Sequence, residues 1–299
     1  MTDTEYRTTK QQRSWFQVLL VPVLATVIVL PAYAESLQEI AARTHFHGVS
    51  FNRAGGDAEL LIATHHGIVA VRRDGSATQI STTQDFMGFS ADPSDPLRYF
   101  GSGHPAGGGN SGFLESRDGG VTWSRLSDGV GGPVDFHNLA VSPSNPKVIY
   151  GFFGGIQMSR DGGSTWQITG EGPEGLVQLA VSSKDSRKIL AATKNGLQVS
   201  GDSGGTWSNS AFEGEIVSAI RVESDGTTYA FVLGHGLLRG AESKAADWES
   251  LSNSFGQEIP LHISSDPKAS NHLVLSTQTS ELLESLDGGK TWTSFGLSQ

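Results

Sequence analysis

The sequence predicts an all-β protein, a six-bladed β-propeller of four-stranded antiparallel blades, and three observations carry that expectation. An octet, "SRDGGSTW" at Ser159–Trp166, returns as "SRDGGVTW" at Ser116–Trp123, as "SLDGGKTW" at Ser285–Trp292 and, more loosely, as "SGDSGGTW" at Ser200–Trp207. Between the octets lie short apolar stretches bounded by Gly, Asp, Asn or Pro, the punctuation of strands joined by tight turns. The chain is 37% hydrophobic, holds 38 glycines in 299 residues and has no long charged or low-complexity tract, so a full core is within reach.

Residues 1–34 read as an export signal and are set apart from the fold. A polar start with Arg7, Lys10 and Arg13 leads into the apolar run Trp15–Leu30, which Pro22 interrupts. Ala32-Tyr33-Ala34 then supplies a small-x-small cleavage signal with the cut after Ala34. The run is 16 residues long, short of the roughly 20 that a spanning helix needs. The expectation is a periplasmic or secreted protein, residues 35–299, with no membrane insertion after cleavage. A retained anchor is the alternative.

Removing the leader takes away three basic and two acidic residues, Asp3 and Glu5, and moves the formal charge from −10 to −11. An acidic surface has no claim on nucleic-acid phosphates, and no basic cluster suggests an anionic membrane. The chain has no Cys, which excludes disulfides and thiolate metal sites and leaves stability to packing.

The octet's Asp serves as a ruler. Asp118, Asp161, Asp202 and Asp287 are spaced by 43, 41 and 85 residues, so the last gap holds two periods. A worn copy fills it at Leu237–Leu251, where Trp248 lies 41 residues after Trp207 and 44 before Trp292. Counting back 44 from Asp118 reaches Asp74, which keeps the Asp-Gly and lacks the Trp. Six repeats of about 42 residues, each with four short strands and no helical segment, favour propeller blades over a solenoid. Within the octet, Asp and a Gly two residues later suit a tight hairpin turn, Thr re-enters a strand, and Trp buries apolar area against a neighbouring sheet. A cation at each Asp-Gly turn is the functional alternative, with a thin ligand set.

On these residues the chain resembles the Asp-box, or BNR-repeat, β-propellers, whose motif is Ser-x-Asp-x-Gly-x-Thr-Trp. The resemblance implies that the box is a structural turn between third and fourth strands, away from the ligand-binding face. Chemistry is therefore sought on the other face, where first strands begin and second strands end.

There the lead-ins to the first strands read "HFHGVSF" from His45, "DFMGFSA" from Asp85, "DFHNLAV" from Asp135, "GLVQLAV" from Gly175, "EIVSAI" from Glu215 and "IPLHIS" from Ile259. Polar residues crowd the first three. Residues two apart on a strand share a side, so His45 with His47, Asp85 with Met87, and Asp135 with His137 are expected to converge on the channel. The second-strand exits add "THHG" (His65, His66) and "GSGHP" (His104), and His235 falls in a turn of the same kind. Neutral imidazoles gathered without a ligand gain nothing and repel one another once protonated. His45, His47, His65, His104, His137, Asp85, Asp135 and Met87 are thus the candidate ligands of one transition-metal ion, copper or zinc, with non-haem iron also compatible. Met87 as core filler, and the two aspartates as groups orienting histidines, stay open. His272 reads as an ordinary hydrogen-bonded residue, and His262, one residue out of register with His47 and His137, as pointing into the sheet. The glycine-rich "GHPAGGGNSG" loop reads as solvated.

The set "HFHG", "THHG", "DFMGF", "SGHP" and "DFHNLA" is similar to exported bacterial proteins labelled BNR-repeat glycosyl hydrolases. That resemblance implies a small-molecule or glycan ligand, with Asp85 and Asp135 as the catalytic carboxyl pair and Glu174 and Glu215 as spares. A sialidase is disfavoured: there is no Arg-Ile-Pro motif, and Tyr99, Tyr150 and Tyr229 lie in second strands. A third class is a non-enzymatic scaffold that binds a protein partner, as sortilin-type receptors and photosystem assembly factors of similar architecture do. Whether the protein is an enzyme stays open.

Overall fold

The computed structural model describes Met1, residues 34–242 and residues 244–296. Apart from Met1 and Ala34, the leader and its cleavage signal lie outside the described residues. Among those residues no helix is long and apolar enough to cross a membrane.

Six antiparallel sheets follow one another along the chain, each a meander in which strands pair in sequence order. The first blade holds Phe46–Phe51, Ala58–Thr64, Gly67–Arg72 and Ser76–Gln79, with Glu35–Ser36 added at its outer edge. The innermost strands of the other five are Asp85–Ala91, Asn138–Val141, Leu176–Val181, Val217–Val222 and Pro260–Asp266. Each innermost strand neighbours the next, and the sixth neighbours the first, so the sheets close into a six-bladed propeller. A five-residue helix, Leu37–Ala41, capped by a Ser36–Glu39 capping box, seals the first blade with Leu37 and Ile40.

The octets are turns between third and fourth strands. In the third blade Asp161 Oδ1 accepts from the Thr165 backbone N–H (2.9 Å) and Oδ2 from the Thr165 hydroxyl (2.6 Å), while the Ser159 hydroxyl accepts from Gly163 N–H (2.8 Å). Asp118, Asp202 and Asp287 repeat the same bonds. Gly163 takes φ +94° and has no room for a Cβ, which would fall 2.0 Å from the Phe113 ring. Trp166 then packs edge-on against Phe113 of the preceding blade and at a tilt against Phe136 of its own, its indole N–H donating to Ser127 Oγ at 2.8 Å. The octet is a fastener whose carboxylate is used within its own turn. The worn copy in the fifth blade has lost that turn, and Trp248 packs on Phe212 at the fourth-blade seam.

These bonds carry a pH signature. Thr165 holds Asp161 down to about 2, and Thr206 does the same for Asp202. A carboxylate whose pKa is lower folded than unfolded, where it is about 3.9, stabilises fully above the unfolded value and loses that contribution as pH falls through the folded one. The thermal midpoint is expected to drop between about pH 4 and pH 2. An Asp161→Asn/Asp202→Asn variant should start lower at neutral pH and fall less steeply across that window.

Candidate functional site

Because neighbouring strands run antiparallel, first-strand starts and second-strand ends share the face opposite the octets. Below that rim the six innermost strands enclose a central channel of about 340 Å³.

Two trios of side chains occupy the rim. The first spans blades one and two: His47 Nε2 lies 3.1 Å from His65 Nε2, and His65 Nδ1 lies 2.9 Å from Asp85 Oδ1. An ionised carboxylate only accepts, so His65 carries its proton on Nδ1 and turns the Nε2 lone pair toward His47. The backbone supports this orientation. The His65 N–H donates to Thr44 Oγ1 (3.2 Å), the His66 N–H to Thr64 Oγ1 (3.0 Å), and Thr64 Oγ1 donates to the Gly67 carbonyl (2.8 Å). The fourth blade builds the same turn from Thr193 and Gly196, with Lys194 and Asn195 between them. The turn is therefore scaffold, and its imidazole is particular to blade one.

The second trio spans blades two and three. Asp135 Oδ2 lies 2.7 Å from His137 Nε2 and 3.2 Å from His104 Nε2. His104 Nδ1 donates to the Gly109 carbonyl at 3.0 Å, so the glycine-rich loop reaches back to orient this ring. Gly103 before it takes φ +151°, and a Cβ there would fall 2.1 Å from the Asp85 carbonyl oxygen. Asp135 is 7% exposed, held between the fully buried Val134 and Phe136, and the Phe136 N–H donates to Ser102 Oγ at 2.9 Å. Its Oδ1 is buried and has no hydrogen-bond partner.

The electrostatics differ across the rim. Burial first, and then the His65 charge, push His47 down to about 4, so its ring is neutral near pH 7 with a lone pair to offer. His137 is raised, chiefly by its hydrogen bond to Asp135. The Asp85 charge acts on both, placing the trios side by side.

Of the eight candidates from blades one to three, His47, His65, Asp85, His104, Asp135 and His137 make up these two trios, and His45 and Met87 belong to neither. His45 is exposed, its ring 5.7 Å from that of His65. Met87 is half-buried at a β-bulge equivalent to that of His47. His66 is exposed beside the rim, and His235 pairs loosely with Glu215 at 3.8 Å.

The reading of His262 is corrected. It lies among the channel-lining residues, one position past a register shift that the first strands of blades one, two, four and five share. Burial and then His47 lower its pKa to about 4. The fifth-blade lead-in also shifts by one. Ile216, through its carbonyl bond to Leu233 N–H, matches Gly175 and Ile259, so Glu215 lies outside the aligned positions.

A third trio had no counterpart in the sequence reading. Glu59, His272 and Glu284 meet at the seam of blades one and six, with His272 Nε2 2.7 Å from Glu284 Oε1. Arg73 bridges Glu284 and Glu59. The pointer was Arg73 itself, a guanidinium beside the Asp74 turn in blade one.

No family model and no curated protein matches the chain. Solved structures do. A GH74 enzyme from Niastella koreensis aligns with TM-score 0.60 at 18% identity, over 84% of this chain and 45% of that one. The likeness is one of fold. A GH74 xyloglucanase from Xanthomonas campestris gives 0.57 at 20% identity, again over 84% and 45%, and an ancestral GH74 enzyme 0.56 at 14%, over 88% and 38%. This chain spans less than half the length of those enzymes.

Proposed function

We propose that this protein is an exported β-propeller, periplasmic or secreted, that binds a transition-metal ion, zinc or copper, in the His/Asp cluster on the face opposite the octets. The observation that carries the reading is the 3.1 Å approach of His47 Nε2 to His65 Nε2, with Asp85 on the far nitrogen of His65. Two nitrogens on one tetrahedral ion at about 2.0–2.1 Å sit about 3.3 Å apart. A carboxylate on the second nitrogen is the usual partner of a metal-bound imidazole, fixing its tautomer and raising its basicity. An N/O donor set without thiolate suits Zn(II) or Cu(II). Met87, His45 and His262 border these donors and would tune access and softness.

The test is metal analysis of untagged residues 35–299 after equilibration with Zn(II) or Cu(II) and exhaustive dialysis. The wild type is expected to retain metal, and His47→Ala/His137→Ala to lose at least tenfold in affinity. Equal, negligible metal in both would sink the reading. Glycan hydrolysis by Asp85 and Asp135, or a protein-binding scaffold, would then be the readings to pursue.

A further inference from the structure

We propose that the rim holds two metal positions, and that His104, Asp135 and His137, at the seam of blades two and three, form the second, which takes its own divalent transition-metal ion. The inference rests on the metal-binding reading above and adds to it a second position.

Three observations carry it. First, the donors fall into two trios, each with ligand atoms mutually within 4.8 Å and each built across a different blade seam. Metal–ligand bonds of about 2.0–2.2 Å place the ligand atoms of one ion no more than about 4.4 Å apart, and Asp135 Oδ2 lies 3.2 and 2.7 Å from the His104 and His137 nitrogens.

Second, the His104 tautomer turns a lone pair into the trio. Nδ1 gives its proton to the Gly109 carbonyl, so in the neutral ring the Nε2 lone pair faces Asp135 Oδ2 at 3.2 Å. His137 presents its Nε2 to the same oxygen at 2.7 Å. Two imidazole nitrogens and a carboxylate directed at one point form a ligand trio with open positions for water or substrate.

Third, Asp135 Oδ1 is buried with no partner on a residue that is 93% buried. A buried, unsatisfied carboxylate oxygen carries a desolvation cost that native proteins seldom leave uncompensated. Metal coordination, with Oδ1 and Oδ2 on one ion, removes it.

The Glu59–His272–Glu284 trio supplies the contrast. There Arg73 already bridges both carboxylates, so the need for a cation is met by the chain itself. Asp135 has no such bridge among the described residues: its partners are the imidazoles of His104 and His137, themselves metal-ligand groups.

The experiment is equilibrium dialysis of residues 35–299 against Zn(II), with bound metal counted by mass spectrometry. Four proteins are compared: wild type, His47→Ala/His65→Ala, His104→Ala/His137→Ala, and His272→Ala. Circular dichroism and the thermal midpoint confirm folding. The proposal expects two equivalents in the wild type and in His272→Ala, and one in each double variant. One equivalent in the wild type overturns the second position and leaves the metal-binding reading standing. Two equivalents persisting in His104→Ala/His137→Ala also overturn it. No zinc in the wild type overturns both. Loss of one equivalent in His272→Ala would place the second ion at the Glu59–His272–Glu284 seam and also overturn the proposal, and a wild-type count below two overturns it even if a variant fails to fold.

Discussion

Gly88→Ala is expected to destabilise the protein by about 3 kcal/mol and to weaken metal binding together with stability. Gly88 sits in the innermost strand of blade two, where a Cβ would fall 2.0 Å from the Phe136 carbonyl oxygen and 3.4 Å from the Leu139 Cβ. The obstacle is backbone, so no rotamer change relieves it, and the innermost strands of blades two and three must part. Phe136 is fully buried against Phe100, Phe113 and Ile149, which resists that movement. The same contact sets Asp85 beside His137, since Asp85 and Met87 lead into Gly88 while Asp135 and His137 flank Phe136. Thermal denaturation should show a midpoint lowered by roughly 6–12 °C at this chain length. Zinc dialysis at a temperature where the variant is folded should show weakened binding. A stable Gly88→Ala protein with unchanged zinc affinity would mean that the close approach of blades two and three does not organise the rim.

Phe295→Ala is expected to cost about 3–5 kcal/mol, through loss of a buried aromatic and the cavity it leaves. Among the described residues no strand is exchanged between the first and last blades: blade six is drawn from 260–294 and blade one from 35–79. Closure of the ring therefore depends on side chains and single bonds across that seam. Phe295, 1% exposed, enters the cluster of Leu37, Ile40, Phe46, Leu60 and Val71 together with Val274 and Leu282 of blade six. Arg73 covers its ring at 5.3 Å. Around it the Phe46 N–H donates to Ser280 Oγ (3.2 Å) and the Phe51 N–H to Ser264 Oγ (3.3 Å). Removing the ring should open the seam and lower the thermal midpoint by roughly 6–20 °C. Leu286→Ala, at a side chain 62% exposed, is the control and should change stability by less than about 0.5 kcal/mol. Equal midpoints for Phe295→Ala and Leu286→Ala would show that the seam is held by something other than this cluster.

The propeller is legible in the sequence because its punctuation is local. An Asp that accepts from a Thr four residues on, and a Gly at positive φ between them, need no distant partner, so the octets mark third-to-fourth-strand turns wherever they stand. The period then locates the copies that have lost their Thr or Trp, at Asp74 and Trp248. Convergence of His47, Asp85 and His137 follows from the same ruler, because equivalent positions on adjacent blades face one hub.

What the sequence does not show depends on backbone irregularity and on partners far along the chain. His262 is among the channel-lining residues, which its offset of one residue from His47 and His137 does not predict. The His104 ring is oriented by a carbonyl of its own glycine-rich loop, a bond invisible in composition. Glu59 and Glu284 meet through Arg73 and His272 only because the ring closes.

Anomalous X-ray diffraction at the zinc edge, from crystals of residues 35–299 grown with Zn(II), tests most directly whether the rim gathers its imidazoles around a metal. The account predicts an anomalous peak about 2.0–2.1 Å from both His47 Nε2 and His65 Nε2. Zinc found only at Glu59, His272 and Glu284, or a His/Asp rim without a peak, would contradict it.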